Sequence, residues 1–139
     1  MNKSLLDTDI LSEIIKNINQ EVISRSIEYR AFFNFYTISV ISVMEIVKGL
    51  HKMGREKKIQ EFLARLNHTE VLFIDTQTAV LAGKIYGELE KEGKTVGKCD
   101  PMIAATAISH DLTLISGNTG HYQRIVYLGY PLILENWKK

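Results

Sequence analysis

Short runs of branched and aromatic residues recur along this chain, and most are followed by a longer stretch whose apolar residues return at three- and four-residue steps. The first is KSLL (3–6), feeding DTDILSEIIKN, where Ile10, Leu11, Ile14, Ile15 and Ile18 keep helical spacing behind two good N-cap residues. QEVISRSIEYRAFF predicts a second helix and FYTISV (35–40) a second strand. Two helices broken near Gly54 follow, with apolar faces Val43, Ile46, Val47, Leu50 and Ile59, Phe62, Leu63, Leu66. VLFID (71–75) reads as a third strand whose Asp75 caps a helix ending on Gly93. CDPMIAATAISHD is a further helix, TLIS (113–116) a strand, GNTGHY a glycine-rich turn, and LIL (132–134) a last short strand. Strands alternating with helices imply parallel pairing, so the expected fold is α/β: a central parallel sheet of four to five strands between two helical layers.

The length suits one domain over residues 1–139. With 17 Lys+Arg against 16 Asp+Glu the formal charge is +1, which lacks the global positive field that drives duplex DNA binding, so any nucleic-acid surface has to be local. The single cysteine, Cys99, has no intrachain disulfide partner, and the apolar start is broken at Asp7 and Asp9 instead of running on as a signal peptide. The apolar tract MIAATAI is far short of the roughly 18–20 residues that cross a bilayer. A cytoplasmic protein without a membrane span is expected.

Open parallel sheets place function at the carboxyl ends of their strands, so the polar groups that follow strands carry the most weight. Asp7 and Asp9 follow the first strand, Glu45 lies one turn into the helix after the second, and Asn118 falls two residues past TLIS. Asp100 opens a helix that the chain can bring to the same edge. Carboxylates gathered this way repel one another unless cations sit among them, and hard oxygen donors favour Mg²⁺ or Mn²⁺. The chemistry they suit is metal-assisted attack on a phosphate. Each acid also has an ordinary explanation: Asp7, Thr8 and Asp9 suit a helix N-cap, Asp100 before Pro101 is a usual helix start, and Glu45 can pair with Lys48 across one turn. Pairing does not explain why Glu45 lies among Val43, Met44, Ile46 and Val47. The four histidines lack ligand spacing, and only His121 falls near the acids. Lys48, Lys52, Arg55, Lys57 and Lys58 read equally as a solvated helix face or as a contact for an RNA backbone.

Taken in order, LLDTDIL, ISVISVMEIVKGL, CDPMIAATAISHDLTLIS, GNTGHYQRI and the tail LENW (134–137) resemble the PIN-domain ribonucleases of the VapC toxin type, over essentially the whole chain. The resemblance implies a PIN-like fold and a Mg²⁺-dependent endoribonuclease, with Mn²⁺ as the alternative ion. It assigns Asp7, Glu45 and Asp100 to the metal and places Asn118 where the family carries Asp or Asn. Asp9 becomes a further carboxylate for metal or substrate, or a cap for the first helix, and Thr8 with Ser39 or Ser42 would hydrogen-bond the ligands. Ser116 and Gly117 depart from the Thr and Asn common in the family. The implied reaction is hydrolysis of RNA by a metal-activated water, leaving a 5′-phosphate and a 3′-hydroxyl. The implied partners are a small VapB-type antitoxin and a second copy of the chain. Candidate contacts are the apolar faces of the second through fourth helices and the aromatic run Phe32, Phe33, Phe35, Tyr36. Two rivals stand beside this reading. A haloacid-dehalogenase-like phosphatase also places D-x-D after a strand, but there a Gly-Thr-type turn should follow, where this chain has Ile10 and Leu11. A non-catalytic PIN-fold module that binds RNA is kept open by the uncharged Asn118.

Overall fold

Five strands, β1 (Ser4–Leu6), β2 (Thr37–Ser39), β3 (Glu70–Leu72), β4 (Thr113–Ile115) and β5 (Leu134–Glu135), form one sheet in the order β3-β2-β1-β4-β5. Every pairing is parallel. The computed structural model describes residues 1–94 and 96–139. Among these residues seven α-helices connect and cover the strands: α1 (Thr8–Lys16), α2 (Gln20–Phe33), α3 (Val40–Lys52), α4 (Glu56–Arg65), α5 (Thr76–Lys91), α6 (Cys99–Ser109) and α7 (Thr119–Tyr127).

The two-residue period of the strands divides the core in two. Leu5 and Leu114, opposite one another in register, face a cluster with Ile85, Leu89, Ile103, Tyr122 and Ile125 from α5, α6 and α7. Leu6, Ile38 and Ile115 also lie in register and face the other way, against Ile10, Val22, Tyr29, Ile46 and Phe62 from α1 to α4. Because both faces are covered, β1, β2 and β4 are buried at every position instead of alternating between buried and exposed, with Ser4, Thr37, Ser39 and Thr113 as their buried polar members. This is the expected three-layer arrangement, with five strands.

Tyr29 ties the second layer together. Its hydroxyl accepts from the Ser4 amide at 3.0 Å, and its ring packs on Phe33 and on Trp137 of the C-terminal tail, at centroid distances of 4.6 and 5.7 Å. From β1 the chain builds outward through β2 to β3, then returns to add β4 and β5 on the other side. The order therefore reverses between β1 and β4, and a crevice opens past their carboxyl ends.

Several elements differ from the sequence expectation. The stretch GNTGHY is not a turn: α7 begins at Thr119 and carries buried Tyr122 and Ile125 one helical turn apart. Gly120 costs this helix about 1 kcal/mol of propensity, and burial of those two side chains outweighs it. β3 stops at Leu72, since only Thr37–Ser39 of β2 pair with it, and Phe73 beyond is exposed. β5 is displaced to Leu134–Glu135 because the Leu132 amide turns back onto the Tyr130 carbonyl. Ile18 lies beyond the end of α1, which stops in a left-handed Asn17 with φ 58°, and is exposed. Leu63 also faces solvent, one step round α4 from buried Phe62. Phe32 is exposed while Phe33 packs against Tyr29.

Replacing Tyr29 with Phe strands the buried Ser4 amide at the start of the central strand. A loss of about 1–2 kcal/mol is expected, read as a lower midpoint in urea unfolding with an unchanged slope. An unchanged midpoint would show that this hydrogen bond contributes nothing to the fold.

Candidate active site

Asp7 follows β1 directly and sits in the crevice. Its amide donates to the Ile115 carbonyl at the end of β4, and its extended backbone makes it the N-cap of α1. Only 4% of the residue is exposed. Three donors reach its carboxylate: the Thr8 amide at 2.9 Å and the Tyr122 hydroxyl at 3.1 Å on Oδ1, and the Ser116 hydroxyl at 2.7 Å on Oδ2. Burial nevertheless pushes the group up from the usual 3.8 to about 7, and the charges of Asp9 and Asp100 add to the rise that these hydrogen bonds oppose. Capping and a place in the site are thus both true of Asp7.

Tyr122 links two acids. Its hydroxyl lies 3.1 Å from Asp7 Oδ1 and 3.4 Å from Asp100 Oδ1. Burial first, and then the negative charge of both carboxylates, hold the phenol well above its ordinary range, so it remains a donor. Asp100 does not cap α6. The helix starts at Cys99, one residue earlier, and this leaves the Asp100 carboxylate for Tyr122 and for His121 Nδ1, 3.2 Å away.

Glu45 projects from α3, where Thr8 donates to its Oε1 at 2.6 Å and Ser42 lies 2.9 Å from the Thr8 hydroxyl. Ser39 is engaged elsewhere, accepting from the Ile41 amide as the cap of α3. No Glu45–Lys48 ion pair occurs among the described residues. Burial and the adjacent Glu45 raise the Cys99 thiol, which fits an uncharged neighbour of the site better than a nucleophile.

Asp9 does not cap α1. Its Oδ2 accepts from the Gly117 amide at 2.9 Å and lies 3.4 Å from Lys138 Nζ, while its Oδ1 is buried with no hydrogen-bond partner among the described residues. Asn118 opens α7 without a side-chain cap bond; its amide donates to Ser116 Oγ at 2.9 Å.

These elements border one groove of about 710 Å³. Asp7, Thr8, Asp9, Glu45, Asp100 and Asn118 line it at the sheet edge, and Ile15, Ile18, Leu50 and Met53 line it farther out with Lys16, Arg55 and Lys58. Of the basic cluster, Arg55 and Lys58 border this groove. All the acids offer hard oxygen donors, and Asp9 Oδ1 is a buried oxygen without a partner, so the donor chemistry fits a divalent cation. Among the described residues no three acidic, histidine or cysteine side chains are gathered closely enough to enclose an ion by themselves.

The fold and its acidic crevice define a class: the family model of the PIN domain matches residues 4–125. Relatives cover the chain end to end. Ribonuclease VapC2 of Haemophilus influenzae is 33% identical, with 99% of each chain aligned, and the tRNA(fMet)-specific endonuclease VapC of Salmonella typhimurium is 34% identical over 99% of each. Among solved structures, the DNA-bound VapBC of Salmonella typhimurium superposes with a TM-score of 0.80 at 31% identity, covering 99% of both chains. VapBC2 of Rickettsia felis, bound to a promoter DNA fragment, gives 0.79 at 28% identity, covering 96% of this chain and 98% of that one. The chain belongs to the PIN-domain family, as a ribonuclease toxin of the VapC type. The phosphatase reading of D-x-D is thereby overturned.

Sequence reasoning missed Tyr122 and the reach of Lys138 to Asp9. The three-residue spacing of Tyr122 and Ile125 would have revealed α7, and with it a phenol one turn past the fourth strand.

The raised Asp7 group carries a pH signature. Its folded value lies above its unfolded one, so its contribution to stability is full below about 4 and is lost as the pH rises through about 7. In metal-free protein at pH 8, Asp7→Asn should therefore raise stability by about 2–4 kcal/mol, a gain that vanishes near pH 4. Chemical denaturation at both pH values checks this; equal stability of the two proteins at pH 8 would show that Asp7 carries no buried charge.

Proposed function

We propose that this groove is the catalytic site of a Mg²⁺-dependent endoribonuclease, Mn²⁺ being the alternative ion, carried on one domain over residues 1–139. The observation that supports it best is the Tyr122 hydroxyl lying within hydrogen-bond distance of both Asp7 and Asp100, its one proton available to either, with Glu45 held by Thr8. Asp7, Glu45 and Asp100 would hold the ion, with Asp9 as a fourth carboxylate beside them. When bound, the cation supplies a water of lowered pKa and stabilises charge developing on the phosphate. Ser116, Tyr122 and the Thr8 amide fix the direction of the Asp7 oxygens, and Thr8 with Ser42 does the same for Glu45. The Asn118 side-chain amide, which borders the groove, would contact the RNA or its attacking water. Lys16, Arg55 and Lys58 offer positive charge to neighbouring phosphates. No side chain is required as nucleophile.

The VapBC relatives suggest the partners. A small VapB-type antitoxin, the RNA substrate and a second copy of this chain are the proposed assembly, in the cytoplasm. Among the described residues no helix is long and apolar enough to cross a membrane. The outer groove, with Ile18 and Met53 exposed at 72% and 66%, suits an apolar segment of the antitoxin. The relative from Salmonella typhimurium, named for tRNA(fMet), makes initiator tRNA the first substrate to try.

Incubation of total RNA with Mg²⁺ or Mn²⁺ tests the proposal. Asp7→Ala and Asp100→Ala should each lose about 100-fold or more of the cleavage rate, and Tyr122→Phe about 10-fold, while a chelator abolishes cleavage. Equal cleavage by the wild type and both alanine variants would refute the assignment. RNA binding without any cleavage by the wild type would favour the non-catalytic module.

A further inference from the structure

Lys138 comes from the last residues of the chain, yet its side chain reaches the acid site. The tail is well anchored: Trp137 is 4% exposed and packs on Tyr29, the Lys138 amide donates to Asn136 Oδ1 at 2.8 Å, and Arg25 donates to the Lys139 carbonyl at 2.7 Å. From this base the Lys138 stem crosses Gly117. A Cβ built on Gly117 would lie 2.7 Å from Lys138 Cδ and 2.6 Å from Asp9 Oδ2, so no residue but glycine leaves room for the crossing without moving them. At its end the ammonium meets Asp9 Oδ2 at 3.4 Å, the oxygen that also accepts from the Gly117 amide. Among the described residues Lys138 is the only lysine or arginine ion-paired with any of Asp7, Asp9, Glu45 and Asp100; His121 beside Asp100 is the other basic contact.

Two-metal phosphate sites hold their ions about 3.5–4 Å apart, which requires enough carboxylates for both. Here one of the four carboxylates already has a cation of its own. We propose that Lys138 is a positioning residue standing in the place of a second metal ion: it pins Asp9 Oδ2 onto the Gly117 amide, so that Asp9 has only Oδ1 left to offer, and leaves a site for a single divalent cation among Asp7, Glu45, Asp100 and that one Asp9 oxygen. The inference rests on the metal-dependent reading above and decides how many ions that reading involves. It also gives the tail a role in the site, because the Gly117 turn that Asp9 holds carries Ser116, the donor to Asp7 Oδ2.

Titration of Mn²⁺ followed by isothermal calorimetry and by the EPR signal of free Mn²⁺ counts the ions. The wild type and Lys138→Arg should each bind one Mn²⁺. Lys138→Met should bind two, the second weaker, and Asp9→Asn/Lys138→Met should return to one. Gly117→Ala, which crowds the lysine stem without altering a charge, should shift toward the Lys138→Met behaviour and serves if that variant folds poorly. In the metal-free protein, hydrogen exchange at the Gly117 amide should quicken about 10-fold in Lys138→Met and stay unchanged in Lys138→Arg. Two ions in the wild type, one ion in Lys138→Met, or an unaltered Gly117 amide in that variant would each overturn the proposal. A wild type that takes up no Mn²⁺ would instead refute the metal-dependent reading itself.

Discussion

A carboxylate removed from water is among the costliest groups a fold can carry, and this structure buries one at the reversal point of its sheet. Asp7 receives three hydrogen bonds, from the Thr8 amide, the Ser116 hydroxyl and the Tyr122 hydroxyl, and is still pushed up to about 7. The donors alone therefore do not offset burial and the neighbouring Asp9 and Asp100. A cation among these oxygens would offset the remaining imbalance, which fits the metal-dependent reading proposed above. Without a metal, burial favours the protonated form of Asp7; a bound cation would favour the anion.

Much of the architecture can be traced to this residue. The parallel sheet places the end of β1 beside the end of β4, so that the Asp7 amide meets the Ile115 carbonyl and Ser116 stands next to the carboxylate. Formation of α7 immediately after β4 turns Tyr122 back over the same group. The tail supplies the last member: Trp137 in the core fixes the direction from which Lys138 approaches Asp9. At Gly117 the close passage of Lys138 and Asp9 leaves no room for a Cβ.

The alternation of strands and helices was legible because period-two and period-3.6 patterns depend on neighbours close in sequence. The acids were legible for a related reason: Asp7 and Asp9 adjoin a strand end, and Glu45 is a carboxylate among Val43, Met44, Ile46 and Val47. The roles of Tyr122, Ser116 and Lys138 were not, since their partners lie 115, 109 and 129 positions away along the chain. Only the folded sheet brings them together. The errors in β3 and β5 have another cause: strand length is set by how many residues the adjacent strand offers, a property of the pair that an apolar run such as VLFID or LIL does not encode. In α7, burial of Tyr122 and Ile125 outweighed the local glycine signal.

The central claim is that Asp7 is a buried acid awaiting a cation. A direct measurement is the ¹³C-carboxyl NMR titration of Asp7, first without metal and then with saturating Mg²⁺. The account predicts a midpoint near 7 in the metal-free protein and a fall below the usual carboxylate value once Mg²⁺ is bound. A metal-free midpoint near 4, or one that Mg²⁺ leaves unmoved, would contradict it.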